Sequence, residues 1–168
     1  MKHSRFAFPV LAFSLFFILE TSLMSQQSGW FWQNPLPQGN DLHSVKIVSS
    51  NVGYAFGYGG TVMKTTNSGM NWSVKYLSPD YYFSTSFFIN VNTGFASGMK
   101  LNGSTTNPLI SKTVDGGITW SDFTMSSTNW ISSVFFFDQN TGYAAGQSGL
   151  LLKTTDCGLN WNILPTGL

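Results

Sequence analysis

Charge is what this chain has least of: Asp, Glu, Lys and Arg make up 9% of its 168 residues, and the formal net charge is +1. Its only Arg is Arg5 and its only Glu is Glu20, both within the first 25 residues. A surface so weakly charged sets up no long-range field for nucleic acid or an anionic bilayer, and neither is expected as a partner. Cys157 is the only cysteine, so no disulfide forms within the chain and stability must come from packing. Beyond residue 25, His43 is the only histidine, which excludes a His-based metal site built from one chain. With no Gly-rich phosphate loop and no calcium loop in the sequence, no cofactor or metal is expected.

Long apolar runs are missing too. Phe6 to Leu19 is apolar except for Pro9 and Ser14, which falls short of the roughly 18–20 residues of a spanning helix. Lys2, His3 and Arg5 precede it and Glu20 with a small polar stretch follows, the layout of a secretory signal. Residues 1–25 are therefore expected to be a signal helix cleaved near Ser25, although Leu23 stands where a small residue is usual. The expected location is outside the cell or in the periplasm or cell envelope, with no membrane insertion after cleavage.

What is present is repetition. Three eight-residue turns close on tryptophan: Thr65-Thr66-Asn67-Ser68-Gly69-Met70-Asn71-Trp72, Thr113-Val114-Asp115-Gly116-Gly117-Ile118-Thr119-Trp120 and Thr154-Thr155-Asp156-Cys157-Gly158-Leu159-Asn160-Trp161. Upstream of each stands a second block, Gly53-Tyr54-Ala55-Phe56-Gly57, Gly94-Phe95-Ala96-Ser97-Gly98 and Gly142-Tyr143-Ala144-Ala145-Gly146. The middle copy is longer, and its extra residues fall between Met99 and Pro108, as an insertion in a hairpin loop would. Short strands rich in aromatic and β-branched residues, Gly-rich turns and a period near 40 predict four strands per copy and a propeller blade. No segment carries helical periodicity. The expected fold is all-β: three four-stranded propeller-like blades at about 42–77, 83–124 and 131–164, after a lead-in at 26–41 whose Trp30-Phe31-Trp32 reads as an outer strand. Three blades cannot close a ring, since propellers use about four to eight. Leu164-Pro165-Thr166-Gly167 also repeats the lead-in Leu36-Pro37-Gln38-Gly39. The chain is thus expected to be part of a larger propeller, with self-association through open blade edges as the alternative.

The turn has the form Ser/Thr-x-Asp/Asn-x-Gly-x-Thr/Asn-Trp, and each position has a physical task. Thr65, Thr113 and Thr154 open it; the side chain of Asn67, Asp115 or Asp156 can accept from backbone N–H groups; Gly69, Gly117 and Gly158 supply positive φ; and Trp72, Trp120 and Trp161 bury a large ring. The motif resembles the Asp-box of sialidase-type repeats. Together with the Gly-Tyr-Ala-Phe-Gly block and the Gly-x-Val-Met-Lys-Thr pattern, the repeat is similar to the photosystem II stability/assembly factor family of seven-bladed propellers and its secreted bacterial relatives. That resemblance implies a non-enzymatic propeller that grips a protein; in the photosynthetic members the target is a membrane-protein subunit. Sialidase chemistry, by contrast, needs three Arg for the substrate carboxylate and a Glu beside a Tyr nucleophile, and neither residue type occurs beyond residue 25. A glycoside hydrolase working with an Asp pair is the disfavoured alternative. No catalytic residue is assigned. A Cys157–His43 nucleophilic pair is outweighed by Cys157 occupying the place of Ser68 and Gly116 in the other copies. Lys64, Lys112 and Lys153 share one repeat position and read as a solvated strand face or a guarded edge. Tyr58, Tyr81, Tyr82 and Trp130 stand near loops, where they could stack on a sugar or a peptide. The expected role is a non-catalytic binding or scaffolding module for a protein or glycan ligand.

Overall fold

The computed structural model describes residues 39–167; the expected signal segment and most of the lead-in lie outside them. Among the described residues, twelve strands form three four-stranded antiparallel sheets, each a meander in chain order. The first holds β1 (Leu42–Ile47), β2 (Gly53–Gly57), β3 (Thr61–Thr65) and β4 (Ser73–Tyr76). The second holds β5 (Tyr81–Phe88), β6 (Gly94–Asn102), β7 (Thr105–Thr113) and β8 (Ser121–Thr124). The third holds β9 (Ile131–Phe136), β10 (Gly142–Gly146), β11 (Leu151–Thr154) and β12 (Asn162–Ile163). This is the all-β, three-bladed partial propeller that the period and turn chemistry predict.

The extra length of the middle copy is not a loop. β6 and β7 stay paired from Gly94↔Thr113 out to Asn102↔Thr105, so the added residues lengthen a hairpin that turns at Gly103 and Ser104. Gly103 has φ 61, which fits the first central position of a two-residue turn, and the Thr pair that follows favours a strand over a coil.

The core lies between sheets rather than within one. Tyr54, Phe56, Val62, Tyr81, Phe83, Ala96 and Leu109 fill the seam between the first and second sheets. Phe95, Ile110, Ile131, Val134, Phe136, Ala144, Leu150, Leu152 and Trp161 fill the seam between the second and third. Alternation along a strand sends successive side chains to opposite faces, so Phe95 belongs to one seam and its neighbour Ala96 to the other. Each large ring removed from water contributes roughly 1.5–3 kcal/mol, which explains how a chain without a disulfide holds together.

Candidate functional site

The turn motif closes on itself in the same way in every sheet. The Thr113 hydroxyl donates to Asp115 Oδ1 at 2.9 Å and accepts from the Gly117 N–H at 2.8 Å, while the Thr119 N–H donates to Asp115 Oδ1 at 2.9 Å. Thr154, Asp156, Gly158 and Asn160 repeat this at 2.8, 2.9 and 2.9 Å. Thr65, Asn67, Gly69 and Asn71 do so at 3.0, 2.9 and 2.9 Å, the Asn67 amide oxygen replacing the carboxylate. Hydrogen bonds from the Thr119 side chain and backbone hold the Asp115 carboxyl down at about 2, and those from Asn160 do the same for Asp156. Such carboxylates are engaged as turn acceptors and are poorly suited to donating a proton. Asp138 is likewise lowered, by the Thr141 and Asn140 N–H groups.

Two features of the turn are invisible in its residue pattern. Ser68, Gly116 and Cys157, the position before the repeated glycine, also have positive φ, at 59°, 68° and 57°. Their N–H groups donate to Asn51, Asn92 and Asn140 carbonyls at 3.0, 2.9 and 2.9 Å, tying each turn to the β-hairpin below it. The place held by Cys157 is therefore a left-handed corner. Of the tryptophans, Trp120 Nε1 donates to the Gly117 carbonyl at 3.2 Å, whereas Trp161 Nε1 is buried without a partner.

Two of the three lysines in the column, Lys64 and Lys112, do not stand on a solvated face. Lys64 Nζ donates to the Gly116 carbonyl of the next sheet at 2.7 Å, and Lys112 is only 9% exposed. Lys64 and Lys112 hold their heads over the buried rings of Tyr54 and Phe95, and Lys153 holds its head over the exposed ring of Tyr143.

A separate cleft forms where first strands begin. In all three sheets the register slips by one residue beside a glycine: Leu42↔Gly57 is followed by Ser44↔Phe56, Phe83↔Gly98 by Thr85↔Ser97, and Ile131↔Gly146 by Ser133↔Ala145. The extra residues are His43, Ser84 and Ser132, and such bulges re-aim a side chain. Only glycine fits opposite: a Cβ on Gly57, Gly98 or Gly146 would sit 1.9, 1.9 or 2.0 Å from the carbonyl oxygen of Asp41, Tyr82 or Trp130. The bulge places His43 against Tyr58, ring centroids 4.3 Å apart, and Tyr58 lies 4.5 Å from Tyr82. With Phe83, Ser84, Gly98, Met99 and Trp130 these rings line a cleft of about 380 Å³. It draws on the first and second sheets and on the residue preceding β9. Among the described residues, no Asp, Glu, Lys or Arg lines it. The Ser84 hydroxyl is committed to the Ile131 and Ser97 carbonyls at 2.6 and 3.2 Å, so its proton is held away from any base. Trp130 and Tyr58 remain 43% and 38% exposed, free to stack on a ligand. Sequence reading reached Tyr58, Tyr82 and Trp130 as loop aromatics; it missed His43 as their neighbour, for which the three equivalent glycines were the signal. Tyr81 is elsewhere, its hydroxyl 2.5 Å from Asp122 Oδ2 and its pKa pushed up to about 12, by burial first and then by Asp122. Among the described residues no group of three His, Cys, Asp or Glu could hold a metal ion.

No family model matches the sequence, and no curated protein does. Solved structures do. YCF48 bound to D1 peptide matches with a TM-score of 0.62 at 22% identity, over 76% of this chain and 41% of that one. YCF48 from Cyanidioschyzon merolae matches with a TM-score of 0.61 at 23% identity, over 79% of this chain and 42% of that one. The chain spans about two fifths of the length of these structures. The class of protein is thus a partial β-propeller of the YCF48 fold; at this identity the likeness is one of fold.

Proposed function

We propose that this chain is a non-catalytic propeller module that binds an extended segment of a protein partner in the aromatic cleft of His43, Tyr58, Tyr82 and Trp130. The observation that carries the reading is the cleft itself: exposed rings on bulged strand ends, with no carboxylate or lysine lining it among the described residues. Stacking and hydrogen bonding are what such a lining does well, and its imidazole, His43, is packed against the Tyr58 ring. One structural neighbour, YCF48 bound to D1 peptide, supports a protein segment as the ligand class. An assembly-factor role on a membrane complex is the next reading, supported by the same neighbour and weakened by the lack of Arg beyond residue 25. The Phe6–Leu19 run with its flanking charges supports export to the cell envelope or beyond, with residues 1–25 as the signal, 26–41 as the lead-in and 42–168 as the blades.

The test is selection of peptides from a displayed random library on the immobilised chain, followed by calorimetric titration of the selected sequences. Removing one stacking ring by Trp130→Ala or Tyr58→Ala should weaken binding by about ten-fold or more, since hot-spot aromatics carry about 2 kcal/mol each. Selected peptides that bind both variants as tightly as the parent chain would place the ligand surface elsewhere. A glycan array probed in parallel separates protein from sugar ligands, and a fluorogenic sialoside should be left uncleaved.

A further inference from the structure

Tyr58 and Tyr82 form a ridge with a recess on each side. An antiparallel backbone bridge joins the two residues across the first and second sheets, and their ring centroids lie 4.5 Å apart at 52°. Further backbone bonds fix the ridge: the Tyr58 N–H donates to the Asp41 carbonyl at 3.0 Å, and the Gly60 N–H to the Tyr81 carbonyl at 2.8 Å. On one side lies the cleft that Met99 and Trp130 also line. On the other, the same two rings line a recess of about 490 Å³ with Gly59, Tyr76 and Pro79. Among the described residues, no Asp, Glu, Lys or Arg lines either side. The hydroxyls of Tyr58 and Tyr82 and the indole N–H of Trp130 have no hydrogen-bond partner among those residues, so the lining holds out polar hydrogens to whatever enters.

Strands, helices and charged segments are each recognised by a different lining. An added β-strand needs an open strand edge, and at the ridge Tyr82 already pairs with Met99 on one side and Tyr58 on the other. An α-helix, about 10 Å across, needs one continuous apolar trough, which the ridge divides. An acidic or phosphorylated segment needs Arg or Lys, and neither lines the site among the described residues. A polyproline II segment has what this lining accepts. It is narrow, with three residues per turn and no internal hydrogen bonds, so its carbonyls are all open to donors. Proline brings no N–H in need of an acceptor, and its ring packs on aromatic faces.

We infer that the partner segment is proline-rich and binds as a polyproline II helix astride the Tyr58–Tyr82 ridge. Residues three apart in such a helix share one face, so one proline ring packs beside Trp130 and Met99 in the cleft while another enters the recess beside Pro79. The tyrosine hydroxyls and the Trp130 indole donate to the carbonyls that pass between them. The uncharged lining matches an uncharged ligand, and the soft Met99 side chain adapts to the proline ring. The inference deepens the reading of the cleft as a peptide site and rests on it.

Nuclear magnetic resonance of the nitrogen-labelled full chain tests it, with capped decaproline as the probe and a capped decaproline of alternating D and L residues as the control, which has the same composition and cannot form the helix. The Trp130 indole N–H signal, identified by its loss in Trp130→Phe, should move and saturate with decaproline, and the control should bind at least about ten-fold more weakly. Trp130→Phe and Tyr82→Phe each keep a ring and remove a donor, so each should weaken decaproline binding by about three-fold or more, with the rest of the spectrum showing a parent-like fold. Equal binding of the two peptides, or of both variants and the parent, would overturn the inference. So would a Trp130 signal that ignores decaproline but moves with library-selected peptides, an outcome that leaves the peptide cleft standing; a signal that moves only with glycans would overturn both.

Discussion

Replacing Thr154 by valine isolates what the turn motif contributes, because the side chain keeps nearly its shape and loses only its hydroxyl. Thr154 is fully buried at the end of β11. Its hydroxyl donates to Asp156 Oδ1 at 2.8 Å and accepts from the Gly158 N–H at 2.9 Å and the Asp156 N–H at 3.3 Å. Two of these are short, and each contributes about 1 kcal/mol net; the Gly158 N–H, buried and left without its acceptor, adds a desolvation penalty of about 1–3 kcal/mol. The expected loss is therefore about 3–5 kcal/mol, a large part of the roughly 5–15 kcal/mol that holds a domain folded. Urea unfolding followed by tryptophan fluorescence reads it as a lower midpoint with unchanged slope; at about 1–3 kcal/mol per molar of urea the midpoint should fall by about 1 M or more. Thr155→Val, one residue on and exposed, is the control and should leave the midpoint in place. Thr65→Val and Thr113→Val should match Thr154→Val, since the same bonds recur. A loss below about 0.5 kcal/mol, or an equal loss at Thr155, would refute the argument that the hydroxyl staples the turn.

Acid should weaken the fold through the same turns. Asp115 and Asp156 have folded pKa values of about 2, below the ordinary 3.8, so their contribution is complete above about pH 4 and is lost as pH falls through about 2. Urea midpoints should drop across that window, and Asp115→Asn with Asp156→Asn should flatten the dependence while keeping the turn, as Asn67 does. Phe95→Ala empties the second seam where the ring stacks on Phe136 at 4.2 Å, and thermal or urea unfolding should show a loss of about 3–5 kcal/mol. Ser148→Gly relieves an exposed serine held at φ 53, and the melting curve should show a gain of about 0.5–1 kcal/mol.

Why the turn was legible and the seam was not follows from the range of the forces involved. Thr-x-Asp-x-Gly is a local device: every hydrogen bond that defines it spans two to four residues, so the spacing alone carries the geometry. The four-strand period was legible for the same reason, since hairpin turns and alternation are local. The left-handed corner at Ser68 and Cys157 escaped notice because its residue type varies while its backbone does not. The bulge that swings His43 toward Tyr58 was hidden differently: its marker is Gly57, fourteen residues away on the paired strand, where only the Asp41 carbonyl forbids a side chain. Lysine misled most, because a charged residue recurring on a strand reads as a wet face. Lys64 is instead drawn into the seam by a carbonyl 52 residues distant in sequence, its ammonium group over the Tyr54 ring. A repeat thus announces how each sheet is folded, but which of its faces is interior depends on the sheet that comes next.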